Sequence, residues 1–159
     1  MFLLDTDVSV YFLVGEFGVE RNIVAKHTEG LFLCWPGYFE LVSIAKQSLL
    51  RYSGVRLQDV NTFIDQLVRD VLPMTWFEWQ QYEEIVTTLA NNGKLRQDRF
   101  GLFHPATGQE LRQPGRMDIA IAATALRHNL TIATRNARDF QSIQVFFPAL
   151  KLDTTWCAT

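Results

Sequence analysis

The chain reads as an α/β protein with a largely parallel central sheet and helices on both of its faces. Short apolar runs, bounded by turn or polar residues, alternate with longer amphipathic ones. Repeated strand–helix alternation of this kind builds parallel sheets covered on both sides. A length of 159 residues with 48% hydrophobic and 20% charged content suits one domain, residues 1–159, with a substantial core.

Taken in order, residues 2–4 form the first apolar run and predict a strand, followed by short helices at 8–12 and 23–27. The run 31–35 predicts a second strand, leading into a helix at 38–52. A helix at 57–69 follows, because Val60, Phe63, Ile64, Leu67 and Val68 recur at three- and four-residue spacing on one face. Residues 71–74 predict the third strand and 76–91 a long helix. The segment 93–115 breaks the pattern: Pro105, Gly108, Pro114 and mixed charges show no period, and 94–115 reads as a loop insertion forming a mobile, partly basic flap. Beyond it come a helix at 116–128, a strand at 131–133, a short helical turn after Asn136 and a last strand at 143–147.

Composition excludes several classes. Cys34 and Cys157 have neither CxxC spacing nor clustered histidines beside them, so neither a zinc site nor a disulfide framework is expected. Asp5 and Asp7 interrupt the N-terminal apolar run, and no basic residue precedes it, unlike a targeting segment. No apolar stretch approaches the roughly 20 residues a bilayer requires, so a cytoplasmic protein without membrane contact is expected. The net charge of −2 is unevenly placed. Between Lys94 and Asp139, eight basic residues (Lys94, Arg96, Arg99, Arg112, Arg116, Arg127, Arg135 and Arg138) face four acidic ones. A basic stretch beside an acidic site suits a phosphate-handling enzyme, although ordinary surface scatter accounts for the charge alone.

Four acidic residues stand beside segments that should be buried: Asp5 ends the first strand, Glu40 interrupts 36–45, Asp118 opens 119–126 and Asp139 closes 134–139. A carboxylate beside buried apolar residues is costly unless a cation or hydrogen-bond donors compensate it. Each has a simpler reading alone. Asp5 or Asp7 could cap the helix near Val8, Glu40 could be a first-turn charge after Pro36, Asp118 an N-terminal helix charge, and Asn136 with Asp139 a capping pair. In parallel α/β sheets, however, the loops beyond the strands' carboxyl ends share one rim, and all four residues can face it. Such a carboxylate set suits Mg²⁺ or Mn²⁺, hard ions that prefer oxygen ligands and leave positions open for water and phosphate.

The segments carrying these acids resemble those of PIN-domain proteins. The stretch LLDTDV at 3–8 resembles their opening, FEL at 39–41 their internal glutamate segment, DIAIAATA at 118–125 their third acidic motif and TRNARDF at 134–140 their fourth. The nearest likeness is to the VapC-type toxins of type II toxin–antitoxin pairs, and it covers nearly the whole chain apart from the insertion. It implies a PIN-like three-layer α/β/α sandwich and a Mg²⁺- or Mn²⁺-dependent endoribonuclease that hydrolyses RNA with metal-activated water. By this likeness Asp5, Glu40 and Asp118 hold the principal ion directly or through water, and Asp139 completes the pocket or helps hold a second ion. Thr6, Thr134 and Asn136 orient carboxylates and water. A homodimer and a small antitoxin protein are implied as well. The chain departs from the family at Asp7, often asparagine there, which adds a fifth carboxylate or a water-mediated metal contact. It departs again at 41–46, where an arginine-containing, glycine-ended continuation is usual.

Two other readings stand beside this one. Asp5 and Asp7 could serve a haloacid-dehalogenase-like phosphatase as nucleophile and acid/base, but Asp118 lacks a preceding glycine and the only lysine after Lys94 is Lys151. A non-catalytic module using the basic loop to bind RNA or protein would not need all four acids. His27, His104 and His128 are scattered and read as surface residues. Trp76, Trp79 and Tyr82, at helical spacing, read as a packing face, and Leu49, Tyr52 and Phe63 as core or dimer surface.

Overall fold

The computed structural model describes residues 1–46, 54–93, 102–103, 110–111 and 114–157. Five strands, Phe2–Leu4 (β1), Leu31–Cys34 (β2), Asp70–Leu72 (β3), Thr131–Ala133 (β6) and Lys151–Asp153 (β7), form one sheet in the order β3-β2-β1-β6-β7. Every pairing in it is parallel. Helices Thr6–Leu13 (α1), Phe17–Lys26 (α2), Trp35–Lys46 (α3), Leu57–Leu67 (α4), Trp76–Asn91 (α5), Arg116–His128 (α6) and Ala137–Gln144 (α7) cover both faces, giving a three-layer α/β/α sandwich.

Alternation along the strands divides the core in two, since successive side chains point to opposite faces. Leu3, Cys34 and Ile132 pack with Ile85 and Leu89 of α5, with α6, and with Phe140 and Ile143 of α7. Leu4, Leu31, Leu33 and Ala133 pack on the other face with Val8, Ile23, Leu41, Val60 and Phe63. Phe63 is thus core and not dimer surface, whereas Leu49 and Tyr52 lie outside the described residues. From Ile119 to Ala125 every residue of α6 is buried, as befits a helix enclosed on all sides.

Several expectations need correction; among the bounds, the helix expected at 23–27 begins at Phe17, the one at 57–69 ends at Leu67 and the strand expected at 71–74 is Asp70–Leu72. Residues 143–147 are not a strand: Phe140 and Ile143 are buried one helical turn apart as the apolar face of α7, and Gln144 ends that helix. The fifth strand is Lys151–Asp153, an edge strand with only part of its surface buried. Helix α3 begins at Trp35, directly after β2, because Pro36 is tolerated in a first turn where its missing N–H leaves no bond unmade. Within the insertion, Leu102–Phe103 (β4) and Glu110–Leu111 (β5) pair antiparallel. The remainder of the expected flap, with Lys94, Arg96, Arg99, His104 and Arg112, lies outside the described residues.

The C-terminal segment is locked to the sheet by Trp156, fully buried, with its ring edge-on to Phe2 at 5.1 Å. Its Nε1 donates to Asp153 Oδ2 at 2.9 Å, which also takes Lys26 Nζ at 2.9 Å. Burial alone would raise the Asp153 pKa, but hydrogen bonds from Thr155, Lys26 and Trp156 hold it down at about 2. Trp156→Phe removes the donor and leaves part of the buried indole's volume empty, so it is expected to cost roughly 2–3 kcal/mol in urea denaturation. A midpoint equal to wild type would show that the Lys26 pairing alone holds the segment.

Candidate functional site

The parallel sheet explains how distant acids meet. Helices α1, α3 and α7 each start where β1, β2 and β6 end, and α6, which runs back before β6, starts at that same rim. Leu4 pairs with Ala133, and Asp5 N–H donates to the Ala133 carbonyl at 3.0 Å. This register sets Asp5 beside Thr134, whose Oγ1 donates to Asp5 Oδ2 at 2.7 Å across 129 residues of sequence. Asp5 occupies the N-cap of α1 yet makes no side-chain capping bond. Its carboxylate belongs to the rim.

The other acids are placed as follows. Asp118, half-buried in the first turn of α6, accepts the Gly115 N–H at 2.6 Å. The helix-start reading of Asp118 is therefore true, but it uses only one oxygen. A Cβ on Gly115 would come within 3.0 Å of that oxygen, so glycine there admits the carboxylate. Asp139 is buried; its Oδ2 takes the Asn136 side-chain amide, while Oδ1 has no hydrogen-bond partner. Asn136 stands at the N-cap of α7 without capping the backbone and is spent on Asp139 instead. Its own N–H goes to Thr134 Oγ1 at 2.9 Å, tying Asp5, Thr134, Asn136 and Asp139 into one network. Thr6 Oγ1 is buried and likewise without a partner. Glu40 lies in the second turn of α3, not the first, so it is no helix-start charge.

The charges feel one another. Burial pushes the Asp5 pKa up to about 7, with Asp7 and Asp118 adding to the rise and the Thr134 hydrogen bond opposing it. Burial also raises Asp118, to about 6, against the Gly115 hydrogen bond and with help from Asp139, Glu40 and Asp7. Asp7, half-buried, is raised by burial and by Asp139, while Arg135 pulls it down. Cys34 lies close enough for Asp5 and Glu40 to act on it, and burial drives its thiol up to about 11, leaving it an inert wall residue.

The donor set, carboxylates with nearby hydroxyls, suits a hard divalent ion, and the two unpartnered buried oxygens on Asp139 and Thr6 are what such an ion or its water would engage. As they stand, no three His, Cys, Asp or Glu side chains among the described residues close on one point as ligands. Like charges without a cation repel, and Mg²⁺ takes only one or two carboxylates with water completing its shell.

Arg135, between Thr134 and Asn136, entered the sequence reading only as part of the basic stretch and of the 134–140 motif, with no role assigned. The expected packing face of α5 is not one: Trp76 is 71% exposed, Trp79 and Phe77 are exposed, and only Tyr82 packs on the core. Trp35 and Phe39 at the start of α3 are also exposed, lining a cleft of about 400 Å³ with Tyr38, Asn61, Ile64, Asp65 and Val71. Among the described residues, no helix is long and apolar enough to cross a membrane.

No protein-family model and no curated sequence matches the chain. Solved structures do. The DNA-bound VapBC structure from Salmonella typhimurium matches with a TM-score of 0.72 at 22% identity over 98% of both chains. VapBC2 from Rickettsia felis, bound to a DNA fragment from their promoter, matches at 0.70 and 18% over 96% of both. FitAcB from Neisseria gonorrhoeae gives 0.64 and 20%, covering 98% of this chain and 99% of that one. At these identities the fold is what is shared, and the chain has the PIN-like α/β/α fold.

Proposed function

We propose that the chain is a metal-dependent endoribonuclease, the toxin of a toxin–antitoxin pair. The observation that carries this reading is the carboxylate rim, where Asp5 and Asp118 are held at raised pKa by burial and by their neighbours. The likeness to VapBC and FitAcB structures supports it at the level of fold. Asp5, Glu40 and Asp118 would hold a Mg²⁺ or Mn²⁺ ion, with Asp139 and Asp7 beside it. Bound there, the ion supplies a more acidic water and a counter-charge for the phosphodiester and its leaving oxygen.

The protein's own part is orientation. Thr134 fixes Asp5, Gly115 fixes Asp118 and Asn136 fixes Asp139, so three carboxylates are aimed before any ligand arrives. Thr6 contributes a hydroxyl with no competing partner.

A homodimer and a small antitoxin belong to the same proposal. The exposed Trp35 and Phe39 beside the rim favour an interface there, and sedimentation at two concentrations reads it. The deciding experiment incubates purified protein with structured and unstructured RNA in Mg²⁺, Mn²⁺ or EDTA. Cleavage that EDTA abolishes is the expected result. RNA left intact in every buffer, or cut equally in EDTA, would sink the reading and favour a non-catalytic binding module or another chemistry.

A further inference from the structure

We propose that Arg135 binds a backbone phosphate of the substrate RNA beside the carboxylate rim. The inference rests on the nuclease reading and adds to it a substrate contact. An acidic rim repels a polyanion, and one divalent ion cannot offset Asp5, Asp7, Glu40, Asp118 and Asp139 together once they ionise. A fixed cation beside the rim offsets part of that charge where a phosphate must approach.

Arg135 is placed for the task by the rim's own framework. Its backbone lies between Thr134, which holds Asp5, and Asn136, which holds Asp139. Its charge reaches the cluster, where it opposes the rise in the Asp7 pKa. Lys26 and Arg56 are paired elsewhere, with Asp153 and Asp59.

The guanidinium is also presented rather than spent. It lies over the Tyr11 ring at 4.5 Å, and Nη1 donates to both Glu16 oxygens at 3.3 Å. Those bonds are long, and the side chain remains 47% exposed, so this surface pairing orients more than it neutralises. Nε and Nη2, which form one edge of the guanidinium, have no hydrogen-bond partner among the described residues. Such an edge matches two phosphate oxygens, as the compact ammonium of lysine does not. Tyr11 and Glu16 are the positioning residues.

The test is steady-state cleavage of a short fluorescein-labelled single-stranded RNA at several salt concentrations. Arg135→Ala is expected to raise KM about tenfold, with kcat nearly unchanged and thermal stability retained. The salt dependence of log(kcat/KM) should flatten by about 0.7, the increment of one phosphate contact on a single strand. Arg135→Lys should restore the salt slope while recovering only part of KM. An unchanged KM and slope in Arg135→Ala would overturn the proposal, as would a lowered melting temperature with a fall in kcat alone. If the wild type cleaves nothing, the nuclease reading fails separately. Anisotropy of the same RNA then judges Arg135: a salt slope equal in wild type and Arg135→Ala overturns it, and a flatter slope in the variant supports it.

Discussion

Asp118→Asn is expected to lower RNA cleavage in Mg²⁺ or Mn²⁺ more than about 100-fold while leaving the fold intact. Loss of a partner that merely orients a metal ligand costs 10- to 100-fold, and Asp118 is proposed as a ligand itself. The substitution is nearly isosteric. Its remaining carbonyl oxygen can still accept the Gly115 N–H, which Asp118 accepts at 2.6 Å, so α6 keeps its start. Only the charge disappears. Because burial and the charges of Asp139, Glu40 and Asp7 hold the native carboxyl's pKa up at about 6, removing its charge should hold or slightly raise the melting temperature. Lost cleavage with a retained melting temperature separates a ligand from a helix cap. Wild-type turnover by a folded Asp118→Asn protein would remove Asp118 from the site.

The elements that were legible in sequence share a physical feature. β1 and β6, and helices α5 and α6, match their predicted bounds, because each is a pure apolar run or a periodic stretch with clear end signals. Residues 143–147 misled because a short apolar run fits a buried helix end as well as a strand, and only the burial of Phe140 with Ile143 decides between them. β7 was hidden for the opposite reason: an edge strand reading Lys-Leu-Asp has too little apolar character to register.

The site divides in the same way. The acids stood out in the sequence because buried-segment carboxylates are conspicuous. Their capping readings were resolved only by three-dimensional partners: Asp5 bonds a threonine 129 residues away, and Asn136 bonds a carboxylate instead of the backbone. Arg135 was read only within the basic stretch and the 134–140 motif, since an arginine there looks like any surface cation until its partners are located. Trp76 and Trp79 follow the spacing of a packing face but protrude, because the core-facing side of α5 is supplied by Ile85, Leu89 and Tyr82.

Asp5→Asn should make the metal-free protein more stable above neutral pH while abolishing its response to divalent cations. Burial, helped by Asp7 and Asp118, raises the folded-state pKa of Asp5 from 3.8 to about 7. A raised carboxyl pKa means that the folded state favours the protonated form. Its stabilising contribution is fully present below about pH 4 and is lost as pH rises through about 7. The whole penalty is of order 4 kcal/mol; because the neighbouring carboxylates share it, the gain expected at pH 8 from Asn is roughly 2–4 kcal/mol. The Thr134 hydroxyl can still donate to the amide oxygen, so the network survives. Mg²⁺ or Mn²⁺ at pH 8 should raise the wild-type melting temperature, by about 3 kcal/mol of stability at a hundredfold excess over Kd. The shift should shrink as pH falls below about 6, where protons compete for Asp5 and Asp118. Denaturation of both proteins across pH 5 to 9, with and without the metal, measures all of this. A metal-free wild type whose stability is flat from pH 5 to 8, or an Asp5→Asn protein that Mg²⁺ stabilises as much as wild type, would show that Asp5 neither bears this strain nor offers it to a cation.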